Sequence, residues 1–211
     1  MRAVCLHEQG GLGSLTLEEN FPDPVAGEGQ VLLRVKATSL NYHDVFTCRG
    51  MPGIKVPMPM IIGLDVAGEI AELGAGVEGW SVGDPVLVNP LDPLEPQKGL
   101  MGEMLHGGTA ELCAVDAPRL IAMPDGVSFE QAAALPVAYG TAHRMLFTHG
   151  KLKAGEKILI LGASVMSSVA FLGEAGFTYD GQMSPYLLFP GNSASGYHLW
   201  RIAFWTALKA Q

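Results

Sequence analysis

The sequence predicts a mixed β and α/β fold, in which a β domain is followed by a helical connector and the beginning of an α/β domain. Up to about residue 122, short apolar stretches alternate with Gly/Pro turns, which is typical of a barrel or sandwich. After Pro124-Asp125-Gly126 the composition changes to an alanine-rich pattern that favours helix. The continuous apolar stretch Ile158-Leu159-Ile160-Leu161 then indicates a strand covered on both faces, as in a parallel sheet.

The β domain is predicted from the alternation of apolar residues along each stretch. Val31, Leu33 and Val35 alternate with their neighbours, so we expect them to share one face of a strand. A short helix is predicted at NYHDVFTCR, with Ser39 or Asn41 as its N-cap. In chain order, the predicted strands are RAVCL, SLTLEE, QVLLRVKA, VAGEIAEL, DPVLVN, TAELCAV and RLIAM.

The connector carries a helix start signal and a helix break. Ser128 and Gln131 have the spacing of a capping box, and Pro136 should divide the alanine-rich segment into two helices. We therefore predict a β domain at residues 1–123, a helical connector at 124–150 and an α/β segment at 151–211.

Composition and charge exclude several classes of function. The net charge is −8 and there is no basic run, so neither nucleic acid nor an anionic membrane surface is an expected partner. The chain shows no signal peptide and no apolar run of the roughly 20 residues that a transmembrane helix needs. Cys5, Cys48 and Cys113 are widely spaced, and we expect reduced thiols in a cytoplasmic protein.

Several stretches in register resemble the medium-chain dehydrogenase/reductase superfamily, closest to its quinone oxidoreductase and enoyl reductase-like branches. The resemblance runs in unbroken order over residues 1–164 and is carried by 31–53, 59–88, 106–146 and 152–164. It implies a GroES-like β-barrel catalytic domain joined to a Rossmann domain. It also implies hydride transfer between NADPH or NADH and a carbonyl or activated alkene, with NADPH the expected cofactor.

The residue types argue against zinc. Where zinc-bearing relatives carry a cysteine and a His-Glu pair, this chain has Asn41 and Leu64-Asp65. Catalytic zinc needs three protein ligands of the Cys, His or carboxylate type, and Asn41 and Leu64 cannot supply them. The stretch NPLDPLEPQKGLMGEMLHGG lacks the cysteines of the structural zinc lobe. His43, His106 and Asp65 could meet in space, but hydrogen-bonded structural roles are the commoner reading, and we expect no metal.

Without zinc, hydrogen-bond donors must polarise the substrate. The resemblance places Asn41 beside the nicotinamide, and Tyr42 or His43 in the same turn could donate a proton. Tyr42 could equally be a packed rim aromatic, and His43 with Asp44 is predicted first as a structural pair that holds the Asn41 loop. Thr141 matches a cofactor-contacting position, or is an ordinary helix hydroxyl bonded to a carbonyl.

The predicted phosphate turn is incomplete. Relatives read approximately Gly-Ala-x-Gly-Gly-Val-Gly after the strand, and here Gly162, Ala163 and Ser164 are followed by Val-Met-Ser-Ser. Glycines are needed there for a tight turn, for close approach to the pyrophosphate and for helix packing. The residues after Ser164 resemble a later part of the same domain, so the Rossmann domain is predicted to be internally shortened, with weak or absent NADPH binding.

Three functions remain open from the sequence. The first is a zinc-independent NADPH-dependent reductase for a small hydrophobic carbonyl, enone or quinone. The second is a non-catalytic remnant that acts as a dimerising scaffold or small-molecule binder, and the third is a cofactor-free enzyme that uses Tyr42, His43 and Asp44. The aromatic-rich segment from Gly162 to Gln211 has few charges and should be covered, so a homodimer through this segment is predicted.

Overall fold

The computed structural model describes residues 1–153, together with the backbone of two short strands, Phe177–Tyr179 and Leu208–Ala210. The chain divides into two compact units, Met1–Val137 and Ala138–Gln211. This division falls inside the segment 124–150 that the sequence predicts as a connector.

The first unit contains two antiparallel sheets. The larger sheet has five strands in the order β7-β3-β5-β6-β8, and the smaller has three in the order β2-β1-β4. The strands are β1 Ala3–Leu6, β2 Leu15–Glu18, β3 Gln30–Ser39, β4 Met60–Ile61, β5 Asp65–Leu73, β6 Pro85–Val88, β7 Leu112–Asp116 and β8 Leu120–Ala122.

Backbone contacts join the two sheets. An isolated bridge pairs Ala3 of β1 with Ala110, just before β7. Val4 N–H donates to Thr109 O at 2.8 Å, and Glu111 N–H donates to Arg2 O at 3.1 Å. Backbone hydrogen bonds of the segment before β7 therefore connect β1 of the smaller sheet to the larger sheet.

Alternating residues of the larger sheet form the main core. Val31 and Leu33 of β3 are fully buried, as predicted, and they pack in one cluster with Val66 and Ile70 of β5. Leu32 is also buried, although it points to the opposite face of the strand. All seven strands predicted for the β domain are present, and β4, which has only two residues, is the strand of the first unit that the pattern did not predict.

Two helices in the first unit sit where the sequence places them. Helix α1 spans Tyr42–Arg49 and is preceded by Asn41 as its N-cap. Helix α2 spans Phe129–Ala133, and its Ala132 and Ala133 pack against Ala67 and Leu87 on the sheet.

The predicted capping box of α2 is confirmed. Gln131 N–H donates to Ser128 Oγ at 3.3 Å, and Ser128 N–H donates to Gln131 Oε1 at 3.0 Å. Each bond satisfies a backbone donor that the first helical turn would otherwise leave free.

The second unit is described by its first segment and two strands. Helix α3 spans Ala138–His143, after the break at Pro136, and continues as a π-helix at Arg144–His149. Strand β9, Phe177–Tyr179, pairs antiparallel with strand β10, Leu208–Ala210. The apolar strand predicted at residues 158–161 lies outside the described residues. In the part of the chain that the structure covers, no helix has the length and apolar character to cross a membrane.

Candidate active site

Asn41 stands at the junction of β3 and α1 with its side chain fixed. Its amide Nδ2 donates to Asp65 Oδ2 at 2.8 Å. Its backbone N–H donates to Asp44 Oδ2 at 2.7 Å, which ties the start of α1 to its own first turn. The bond to Asp65 uses one of the two N–H groups of Nδ2 and fixes the orientation of the whole amide, including its oxygen Oδ1.

Asp65 is a fully buried carboxylate that organises this loop. In addition to Asn41, Ser39 Oγ donates to its Oδ2 at 2.7 Å and Val137 N–H donates to its Oδ1 at 2.9 Å. Burial raises the pKa of Asp65, although the bonds from Asn41, Ser39 and Val137 oppose that rise. Asp65 thus joins the end of β3, the start of β5 and the last residue of the first unit.

Asp44 is a second buried carboxylate on the same loop. Its Oδ1 accepts from Gly63 N–H at 3.0 Å, and its Oδ2 accepts from Asn41. Burial raises the pKa of Asp44 despite these two backbone bonds. Asp44 therefore holds α1 against the residues that lead into β5.

Tyr42 and His43 of the same turn have different surroundings. Tyr42 is 62% exposed and its ring packs edge-on against Phe46, with centroids 4.9 Å apart. His43 is mostly buried, and its Nε2 lies 2.7 Å from Oε2 of the buried Glu103. The structure thus gives His43 and Asp44 separate partners, and Asp44 holds the Asn41 loop without a bond to His43.

The three residues considered as possible zinc ligands do not meet. His43 contacts Glu103, His106 Nδ1 accepts from Ile61 N–H at 3.2 Å, and Asp65 is bound as described above. Across residues 1–153 and the two later strands, no group of three or more His, Cys, Asp or Glu side chains is placed to hold a metal ion.

The other predicted cofactor residues lie in the second unit. Thr141 is in the middle of α3, and its side chain is exposed. Gly162, Ala163 and Ser164 lie outside the described residues, as does the aromatic-rich segment predicted to form a dimer contact.

Sequence reasoning missed the groups that surround Asn41. Glu103 was passed over within an apolar loop, and Ser39 was considered only as a cap. For Asp65 and Glu103, the sequence signal is an acidic residue inside an apolar stretch, because a buried carboxylate must find hydrogen-bond donors. Asp65 in IIGLDVAG and Glu103 in LMGEML both fit that description.

Cys5, Cys48 and Cys113 are free and buried in the structure. Burial raises the pKa of Cys113 to about 12, so its thiol is protonated at neutral pH. Burial also raises the pKa of Cys5 and of Cys48. The described surroundings of all three therefore suit packing rather than nucleophilic chemistry.

A cavity of about 770 Å³ lies along β7, away from the Asn41 loop. It is bordered by all five residues of β7 and by Phe21, Lys98 and Arg119. None of the predicted site residues lines this cavity. The candidate site is therefore assigned to the hydrogen-bonded Asn41 loop and not to the cavity.

The comparison with known families identifies the first unit. Residues 27–125 match the alcohol dehydrogenase GroES-like domain. This chain carries a GroES-like domain of the medium-chain dehydrogenase/reductase type. The matched residues include Asn41, Asp44, Asp65 and Glu103, so the whole hydrogen-bonded loop belongs to the GroES-like domain.

Several known proteins similar to the chain are oxidoreductases by name. The chloroplastic NADPH-dependent alkenal/one oxidoreductase of Arabidopsis thaliana is 34% identical over 165 residues, covering 78% of this chain and 41% of that protein. The quinone oxidoreductase of Lama guanicoe is 33% identical over 164 residues, covering 78% and 46%. A crystal structure of an NAD-dependent alcohol dehydrogenase has a TM-score of 0.75 at 30% identity, covering 82% and 55%.

These comparisons confirm the predicted resemblance and the predicted fold class of the GroES-like part. The chain spans about half the length of the relatives and structures that it matches. The similar proteins include an NADPH-dependent alkenal/one oxidoreductase and an NAD-dependent alcohol dehydrogenase, so the family includes oxidoreductases that are named for pyridine nucleotides.

Proposed function

We propose that this chain is a zinc-independent, NADPH-dependent reductase of a small hydrophobic carbonyl, enone or quinone. The observation that carries the proposal is the Asn41 loop. At the position where zinc-bearing relatives of the superfamily hold a metal ligand, this chain has the amide of Asn41. Its Nδ2 donates to Oδ2 of the buried Asp65 at 2.8 Å. A fixed amide beside the reacting groups can orient them by hydrogen bonding without a metal.

NADPH would supply the hydride. The amide oxygen Oδ1 of Asn41 would be an acceptor for the carboxamide N–H of a nicotinamide, and the GroES-like domain holds the Asn41 loop through Asp65 and Asp44. Thr141 and the predicted turn at Gly162, Ala163 and Ser164 would contact the rest of the nucleotide. Because only the first glycine of that turn is present, we expect weak binding.

The expected substrates are apolar. The names of the similar proteins point to alkenals, enones and quinones. In this chain, the apolar side chains of Leu40 and Tyr42 flank Asn41 and are 74% and 62% exposed. Exposed apolar groups beside a polar anchor are typical of a small-molecule site.

The test is the consumption of NADPH with an enone or a quinone, in the presence of a chelator, by the purified chain and its Asn41→Ala variant. We expect turnover that resists the chelator and falls about tenfold or more in Asn41→Ala, because the nicotinamide loses its anchor. Asn20→Ala changes an exposed asparagine outside the loop and is the matched control, which should behave as the wild type.

Two results would contradict the proposal. A folded chain that neither binds nor consumes NADPH at about 1 mM would favour the non-catalytic binder or scaffold instead. Turnover without any nucleotide, lost on changing Tyr42 or His43, would favour the cofactor-free enzyme.

A further inference from the structure

His43, in the turn that follows Asn41, forms a close pair with Glu103. Glu103 lies in the loop before β7, and its side chain is only 9% exposed. Its Oε2 lies 2.7 Å from Nε2 of His43, whose side chain is 24% exposed. A carboxylate buried to this extent is costly unless a partner satisfies it, and His43 is its hydrogen-bond partner among the described residues.

The contact fixes the chemical state of the imidazole. A carboxylate accepts from Nε2–H, so the neutral ring carries its proton on Nε2 and leaves Nδ1 as the atom that takes up or gives a proton. No hydrogen bond of Nδ1 occurs within the described residues, and Asp44 is the other charged group that acts on the ring.

The position of the pair on the chain favours a role in the reaction. His43 follows Asn41 by two residues and lies in the first turn of α1. Two hydrogen bonds fix that turn. Gly63 N–H donates to Asp44, and the side-chain amide of Asn41 donates to Asp65. A partly exposed histidine on a rigid turn, oriented by a buried carboxylate, has the features of a general acid.

We propose that His43 is the proton donor of the reduction and that Glu103 is the residue that positions it. This inference rests on the proposed function. Hydride transfer to the carbonyl carbon, or to the β-carbon of an enone, leaves a negative oxygen or an enolate. The Nδ1–H of the His43 imidazolium gives its proton to that anion, the N–H bond breaks as the new O–H or C–H bond forms, and the neutral ring is reprotonated from water.

The kinetic test compares His43→Gln and Glu103→Gln with the wild type. We expect kcat to fall about 100-fold in His43→Gln and less in Glu103→Gln, with the Kd for NADPH unchanged in both. The solvent deuterium isotope effect on kcat should rise in Glu103→Gln, because proton delivery becomes slower.

The chain offers a closely matched control. His7 Nε2 lies 2.7 Å from Glu18 Oε1 on the exposed surface of the same unit. His7→Gln and Glu18→Gln remove an equivalent pair with the same distance, and both variants should keep the wild-type kcat and isotope effect.

A second readout needs neither cofactor nor substrate. In a two-bond ¹H–¹⁵N spectrum of the histidine rings, wild-type His43 should show the form protonated on Nε2, and Glu103→Gln should change its signals while leaving those of His7 unchanged. Unchanged His43 signals in Glu103→Gln would show that the contact does not set the ring, and would overturn the inference.

The failure of this inference is distinguishable from the failure of the proposed function. A wild-type chain without NADPH-dependent turnover overturns both. An active chain whose kcat is insensitive to His43→Gln, or whose turnover is lost in Tyr42→Phe instead, overturns the role of His43 alone. Loss of NADPH binding in His43→Gln would assign the residue to binding and would also overturn it.

Discussion

At the scale of single residues, the GroES-like domain places two buried aspartates around one loop. Asp65 is fully buried and accepts from the side-chain amide of Asn41, and Asp44 is 4% exposed and accepts from the backbone N–H of Asn41. Burial raises the pKa of both carboxyls. The loop therefore has a rigid geometry that depends on carboxylates held in an unfavourable environment.

The raised pKa of Asp65 makes the stability of the domain depend on pH. In the unfolded chain an aspartate has a pKa of about 3.9, so it loses its proton before the folded Asp65 does. The folded state then binds more protons, and the free energy of unfolding should fall as pH rises from about 4 to the folded pKa. Asp65→Asn should reduce this slope without abolishing it, because Asp44 contributes with the same sign.

Urea denaturation at a series of pH values measures this slope. Asp125→Asn replaces an exposed aspartate in a turn and should leave the slope as it is in the wild type. An Asp65→Asn variant with the wild-type slope would show that the carboxyl is not desolvated in the folded protein.

At this scale, the sequence identified Asn41, His43 and Asp44 but not their hydrogen-bond partners. The helix signal around Tyr42 depends on local spacing, so the turn and its cap could be predicted. The partners Asp65, Gly63 and Glu103 come from 19 to 60 residues away along the chain. Such contacts follow from how the strands pair, and local spacing contains little information about them.

At the scale of the elements, the contact between β3 and β5 places the Asn41 loop. Ser39 at the end of β3 pairs with Asp65 at the start of β5, so the register of these strands brings Ser39 Oγ to the carboxylate. The register shifts between Val35 and Ala37, where Gly68 of β5 approaches β3 closely. A Cβ atom added at Gly68 would lie 2.4 Å from the backbone oxygen of Arg34.

Gly68→Ala should therefore destabilise the domain. The clash is with backbone rather than with a flexible side chain, so the strands must separate, and we expect a loss of about 1–3 kcal/mol in the free energy of unfolding. Thermal or urea denaturation measures it. Gly13→Ala, where no atom lies within 4 Å of the added Cβ, is the matched control, and an equal loss in both variants would argue against a close approach of β3 and β5.

The strands of the β domain were predictable, because short stretches of alternating or continuous apolar residues lie between Gly/Pro turns. Val31 and Leu33 on β3 and the capping box before α2 are local patterns, and both are confirmed. The two-residue strand β4 was missed since it is too short to show a period. The order β7-β3-β5-β6-β8 follows from long-range pairing and was not predicted beyond the general class.

At the scale of the whole molecule, the Asn41 loop and the residues that form hydrogen bonds with it lie within one compact unit, Met1–Val137. The proposed nucleotide contacts at Thr141 and Gly162 belong to the second unit. The predicted shortening of the Rossmann segment and the predicted homodimer both concern residues after 153 and stay predictions. Under the proposed function, we therefore expect Asn41 in the first unit to meet the nicotinamide and residues of the second unit to contact the rest of the nucleotide.

We propose that this chain transfers a hydride from NADPH without zinc. The most direct measurement incubates the chelator-treated chain with NADPH deuterated at C4 and an α,β-unsaturated ketone, and follows the product by mass spectrometry. We expect a reduced product that carries deuterium, formed slowly because cofactor binding is weak and in equal amount with or without chelator. A folded chain that forms no deuterated product at about 1 mM NADPH would contradict it, as would a reaction that stops when metal is removed.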